Sequence, residues 1–172
     1  MIGDKLSKAL SNQVNAEYYS AYLYLAMSAC MDRAGFHGAA NWLFVQAQEE
    51  MAHGTHMYHY ILERGAMPAL KNVEAPDAAY GNLKEVYEKV CAHERHVTEL
   101  INEIATIAMK ENDHAGYNFI SWFVNEQVEE ESTADKILTK IKYIGDNPDM
   151  LYNLDNDLAA RVFVNPFSSA AT

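Results

Sequence analysis

The 172-residue chain contains two cysteines, four prolines and no long apolar run. Cys30 and Cys91 lie far apart in sequence, too few for a disulfide framework and wrongly spaced for a zinc or iron–sulfur site. They read as small residues of a core or a helix surface. The opening stretch MIGDKLSKALSNQVNAE is charged and polar, and neither a secretory signal nor a membrane span is readable there or later. The expected location is the cytoplasm, with no membrane partner. Basic residues are scarce, 13 against 24 acidic ones, and the net charge of -11 argues against a nucleic-acid partner while favouring cations. Low-complexity tracts are also missing. About half of the residues are apolar, with 11 Tyr, 6 Phe and 2 Trp, so the chain should fold as one domain around one sizeable core.

The prolines fall at 68, 76, 148 and 166, leaving two long stretches that no proline interrupts. In the first, Leu6, Leu10, Val14, Tyr18, Tyr22 and Leu25 recur at helical spacing, and Gly35 and Gly38 mark a break. The pattern predicts helices over about 4–32 and 38–64. In the second, Val86, Val90, Val97, Leu100, Ile101 and Ile104 repeat the pattern, which is interrupted at ENDHAG, 111–116, and resumes at Tyr117. Helices over about 83–110 and 115–143 follow. Each would be roughly 40 Å long at about 1.5 Å per residue, and long helices of matched length pack side by side. The segment PALKNVEAPDAAYGN, 68–82, is too long for a tight turn and long enough to travel the length of a bundle. The expectation is therefore an all-α four-helix bundle over 1–145, with a long crossover between the second and third helices. Over 146–172 a short fifth helix is expected at about 150–162, begun near Asp146 or Pro148, followed by a loose tail, VNPFSSAAT, that serves assembly.

In QAQEEMAHG, Glu49 and Glu50 stand four and three residues ahead of His53, so all three project from one helix face. Two groups alone would hold a metal weakly. The other helices supply more carboxylates: Glu17 in an apolar and aromatic stretch, Glu94 in VCAHERHV, and Glu126, Gln127, Glu129, Glu130 and Glu131 in WFVNEQVEEES. The interval from Glu17 to Glu50 is 50 − 17 = 33 residues, and that from Glu94 to Gln127 is 127 − 94 = 33. Two related halves result, one reading Glu then Glu-x-x-His, the other Glu94 then Gln127-x-x-Glu130.

These parts resemble the ferritin-like di-iron carboxylate bundle, in which two helices each give one Glu and the other two each give Glu-x-x-His. NAEYYSAYLYL, QAQEEMAHG and WFVNEQVEEE are similar to the bacterial non-haem ferritins, and the likeness covers nearly the whole chain. The resemblance implies a shell of 24 identical subunits that oxidises Fe(II) with O2 or peroxide and stores ferric mineral. It implies that Glu17, Glu50 and His53 hold one iron, and that Glu94 and Glu130, with Glu50 bridging, hold the other. Carboxylates and one imidazole suit iron, whereas soft thiolates would retain Fe(II) or select zinc. Gln127 would be an uncharged neighbour of the bound oxidant, and Tyr24, seven residues after Glu17, a buried tyrosine that fixes a ligand or lends an electron. Glu49, Glu126 and Glu129 match a third iron site, and Trp122, four residues before Glu126, a second electron source. The haem-binding relatives carry a methionine where Met51 stands, but their second half has a complete Glu-x-x-His, and here Gln127 and Glu130 replace it. Haem is not favoured.

Plainer readings compete with each of these. Glu-x-x-His on a helix arises often by chance, and Glu131, one position off the shared face, reads as solvated. His37, His56, His59, His93, His96 and His114 read as surface or packing residues, and the tyrosines at 18, 19 and 22 as core. Buried carboxylates at Glu17 and Glu94 would need a cation; Arg95 or a lysine would satisfy one, but iron accounts for more of them at once. Among rival functions, a di-iron oxygenase would need a larger chain for its substrate channel, and a rubrerythrin-like peroxide reductase would need a four-cysteine iron site. A starvation-type mini-ferritin would place its iron between subunits. A purely structural bundle leaves the buried charges unexplained.

Overall fold

The computed structural model describes residues 1–168, so the last four residues of the expected tail, 169–172, lie outside the described residues. The described residues form five helices in order: α1 Asp4–Arg33, α2 His37–Glu63, α3 Leu83–Lys110, α4 His114–Ile144 and α5 Pro148–Ala159. Among the described residues there is no strand, and no helix is long and apolar enough to cross a membrane. The four long helices match the expected spans to within about two residues, the usual uncertainty of a helix end. Their ends have local causes. Gly35, at φ 88°, closes the α1–α2 turn, Asn82 caps α3 by accepting from Glu85 N, and Asp113 caps α4 by accepting from Gly116 N.

The crossover, 64–82, runs beside α1 and is tied to it by polar side chains, with Pro68 buried and Ala66 and Tyr80 packed against the core. Asn15 donates to Ala69 O at 3.0 Å and accepts from Lys71 N at 2.7 Å, while Ala69 N donates to Ser11 Oγ at 3.2 Å. Two apolar clusters fill the bundle. One contains Tyr24, Met27, Met31, Leu43, Val86, Tyr87 and Ile141, the other Leu6, Leu10, Val14, Met57, Ile61, Ile101 and Ile120. Between them the chain buries a polar layer of Glu17, Glu50, His53, Glu94 and Gln127, each no more than 4% exposed.

The short fifth helix forms as expected, and the C-terminal segment differs from the sequence-based expectation only at that helix's end and beyond it. α5 ends at Ala159, three residues before the predicted end, and the chain then runs without regular structure. Its start follows the sequence, since Asn147 caps it by accepting from Met150 N and Pro148 sits at the first helical position. Leu154 and Leu158 bury themselves in the core beside α2. Of the expected loose tail, 164–172, the described part is anchored, because Phe167 stacks on His56 with ring centroids 3.8 Å apart.

Candidate metal centre

The polar layer takes one turn from each long helix. Glu17 comes from α1, Glu50 and His53 from α2, Glu94 from α3, and Gln127 and Glu130 from α4. Glu17, Glu50 and His53 offer ligand atoms within 4.8 Å of one another, and so do Glu50, Glu94 and Glu130. Glu50 belongs to both groups. The structure thus brings together, around one shared carboxylate, the five residues that the family resemblance nominates for two metal positions.

Neighbouring side chains hold these groups in place. Gln46, one turn before Glu50, donates to both Glu50 and Glu130 at 2.9 Å, and Gln13 donates to Glu17 at the same distance. Gln127 donates to the Glu94 carbonyl at 3.2 Å, to its carboxylate at 3.3 Å and to Thr98 Oγ1 at 3.3 Å. The Tyr24 hydroxyl donates to Glu94. Sequence reasoning passed over Gln13 and Gln46, although each stands four residues ahead of a candidate ligand, a spacing that shares a helix face. Tyr24 is fully buried, and Trp122 lies with its ring 5.6 Å from that of His53.

Two atoms of the centre, Glu17 Oε2 and His53 Nε2, are buried with no hydrogen-bond partner among the described residues. Burial, reinforced by the charge of Glu50, pushes the Glu17 carboxyl well above its ordinary range and that of Glu94 up to about 7. Burial and the charges of Glu50 and Glu94 likewise raise Glu130 well above that range. Glu50 is the exception: burial favours its neutral form, but the hydrogen bond and charge of His53, 3.4 Å away, win and hold it low. The same pair raises His53 against its own desolvation. Four carboxyls and an imidazole are therefore packed into an apolar interior with too little positive charge to keep them all ionised. Buried anions of this density are stable when a cation joins them, and an all-oxygen and imidazole donor set with a shared carboxylate fits iron.

The residues nominated for a third position are gathered less completely. Glu49, Glu126, Glu129 and Glu130 line one cavity of about 140 Å³. The ligand atoms that converge within 4.8 Å there belong to His53, Glu126 and Glu130, and not to Glu49 or Glu129. Burial raises both Glu49 and Glu126, and at Glu49 the charge of Arg161 opposes that rise. Arg161, which nothing in the sequence pattern singled out, is ion-paired with Glu49.

The remaining candidates take structural places. His56 packs against Phe119 and Phe167, and His93 bonds Ser20 Oγ at 2.8 Å and meets Tyr24 edge-on. His96 and His37 are exposed beside Glu99 and Asp32. Glu131, expected on a solvated face, is instead half-buried and accepts from Thr98 Oγ1 at 2.5 Å. Cys91 is buried in the apolar core, with its thiol pushed up to about 12 by desolvation.

Comparison with known proteins places this geometry in a family. The model of the ferritin-like domain matches residues 7–144. A bacterial non-heme ferritin of Bacteroides fragilis is 42% identical over 161 residues, covering 94% of this chain and 100% of its own. A probable bacterial non-heme ferritin-like protein of Haemophilus influenzae is 40% identical, over 92% of this chain and 96% of its own. Among solved structures, the open-pore ferritin of Archaeoglobus fulgidus superposes with a TM-score of 0.92 at 42% identity, over 94% of this chain and 99% of its own. With its bundle, its crossover and its buried carboxylate layer, the chain belongs to the ferritin family.

Proposed function

We propose that this chain stores and detoxifies iron, assembling into a shell of 24 copies in which each subunit oxidises Fe(II) with O2 or peroxide and passes ferric iron to a mineral inside. Membership of the ferritin family supports iron storage as the general function. The ferroxidase reading rests on one observation above the others: Glu50 is shared by two buried groups, Glu17–Glu50–His53 and Glu50–Glu94–Glu130, whose ligand atoms converge within 4.8 Å. Iron is the substrate here as well as the bound ion. When bound, a pair of ferrous ions supplies the two electrons that reduce the oxidant.

The protein's own residues have distinct parts in this reaction. Glu17 and His53 present one face of the centre, Glu94 and Glu130 the other, and Glu50 holds the two positions together. The carboxyls that burial holds toward the neutral form release their protons as cations arrive, so protons balance the charge of the empty site and metal ions that of the filled one. Tyr24, whose burial and proximity to Glu94 push its phenol well up, stays protonated and fixes Glu94 by donating to it. Gln127 supplies an uncharged donor beside Glu94 where a further carboxylate would add repulsion. The cavity lined by Glu49, Glu126 and Glu129 is a third metal position adjoining the pair. Acidic residues elsewhere draw Fe(II) toward the shell, in keeping with the net charge of -11.

The deciding experiment adds Fe(II) in air, stepwise to large excess, to the purified apoprotein, followed by size exclusion with iron and mass measured together. Iron far above three ions per chain, eluting with a 24-subunit particle, is expected. Uptake that stops at about two ions per chain in a small oligomer would turn the reading toward a di-iron enzyme with an organic substrate.

A further inference from the structure

The segment after α5 places a cation against the carboxylates of the proposed third metal position. Arg161 donates through Nη2 to Glu49 and through Nη1 to the Trp42 carbonyl at 3.3 Å, and its guanidinium carbon sits 4.4 Å over the Trp42 ring. Its own carbonyl accepts from Asn41 Nδ2 at 2.9 Å. The pairing is partly sheltered, with the two side chains 24% and 20% exposed. Of the residues that line the 140 Å³ cavity, five are glutamates and Arg161 is the one cation. Six residues further on, Phe167 is wedged on His56 and lies 4.6 Å from the Trp122 ring, while Val162 and Val164 between them are exposed. The segment is thus pinned at its two ends, one on each side of the metal centre's α2–α4 face.

We propose that Arg161 is a resident, displaceable counter-ion of the third metal position, and that residues 161–167 form a latch that limits its occupancy. The inference rests on reading that cavity as a metal position. A single positive charge neutralises Glu49 and leaves Glu126 and Glu129 free, so an incoming divalent ion gains the whole set but must first take Glu49 from a guanidinium that is also stacked on an indole. This competition accounts for Glu49 standing apart from the converging ligand atoms of His53, Glu126 and Glu130. Phe167 keeps Arg161 close by tethering the segment beyond it, which raises the local concentration of the competing charge.

Calorimetric titration of the assembled apoprotein with Zn(II), which has no redox chemistry, tests this directly. Wild-type protein is expected to bind two ions per chain tightly and a third more weakly. Arg161→Gln should tighten the third about tenfold and leave the first two unchanged. Phe167→Ala, which alters no charge, should tighten the third by a smaller factor, about threefold. A third ion of unchanged or weaker affinity in Arg161→Gln overturns the counter-ion, and one tightened by Arg161→Gln but indifferent to Phe167→Ala overturns the latch. If neither wild type nor Arg161→Gln binds a third ion, the proposal falls together with the third position, while the two tight ions still stand for the paired centre. Loss of all Zn(II) binding would instead sink the metal centre itself.

Discussion

At the scale of single residues, the proposed ligands carry opposite costs in the two states of the site. Glu17 is fully buried, its carboxyl driven toward the neutral form, and one of its oxygens has no partner among the described residues. A neutral amide of the same shape therefore replaces the empty-state side chain at little cost, whereas it cannot supply the anion that a metal needs. Glu17→Gln is expected to leave the thermal midpoint of the apoprotein unchanged or higher, and to slow the fast phase of Fe(II) oxidation by at least roughly tenfold. Stopped-flow absorbance alongside calorimetry checks both halves. Unchanged oxidation kinetics in a folded, assembled variant would remove Glu17 from the centre. His53→Ala lacks that selectivity, because it also takes away the group that holds Glu50 ionised.

Between residues and the whole lie the helices, and α5 shows how one element depends on another. The α2 N-terminus has Phe36 as its cap residue, which offers no side-chain acceptor. Asp155 on α5 takes that role from a distance, accepting from Gly38 N at 2.9 Å and Ala39 N at 2.8 Å. The approach requires glycine at 38, where an added Cβ would meet the Asp155 carbonyl at 1.6 Å. Asp155→Ala should cost about 1–2 kcal/mol, through the lost cap and the lost charge at the positive end of α2. Hydrogen exchange is expected to rise in α5 and the first turn of α2 and to stay unchanged in α3, and uniform protection across these helices would refute the coupling. This dependence also marks where sequence reading stopped. Helix spans and the crossover were legible because apolar period is local, and the carboxylates and histidine of the candidate centre stood out by a spacing that repeats between the two halves, while their grouping as five ligands came from the family resemblance. Asp155 with Gly38, Arg161 with Glu49, and Phe167 with His56 join positions more than a hundred residues apart, and no spacing rule connects them. The third position was legible as a set of carboxylates, yet Arg161 pairing with one of them was not. Gln13 and Gln46 were within reach, since each repeats the same four-residue offset to a ligand.

For the whole molecule, the buried layer makes stability depend on pH in an unusual direction. A carboxylate stabilised in the fold usually has a depressed pKa, and stability then falls on acidification. Here Glu94 is raised from 4.5 to about 7, and Glu17 and Glu130 are raised as well. Below about pH 4.5 both folded and unfolded chains hold these protons, and no difference arises. Between there and about pH 7 the unfolded chain releases the Glu94 proton while the folded chain keeps it, so the unfolded state binds fewer protons and stability drops as pH rises. His53, raised in the fold, contributes in the same sense, its stabilising charge being lost with rising pH. Glu50, depressed, contributes stability lost only on acidification through its folded pKa, below the window considered. Chelator-treated apoprotein should accordingly unfold at a lower temperature at pH 8 than at pH 5. Saturating Zn(II) should reverse the slope, because the ion binds the deprotonated ligands and gains affinity over the same range in which the empty site loses stability. Scanning calorimetry at the two pH values, with and without Zn(II), reads both slopes. An apoprotein that grows more stable from pH 5 to pH 8 would mean that the carboxyl layer is already ionised and compensated from within the chain, and that the cation demand inferred from its burial is absent.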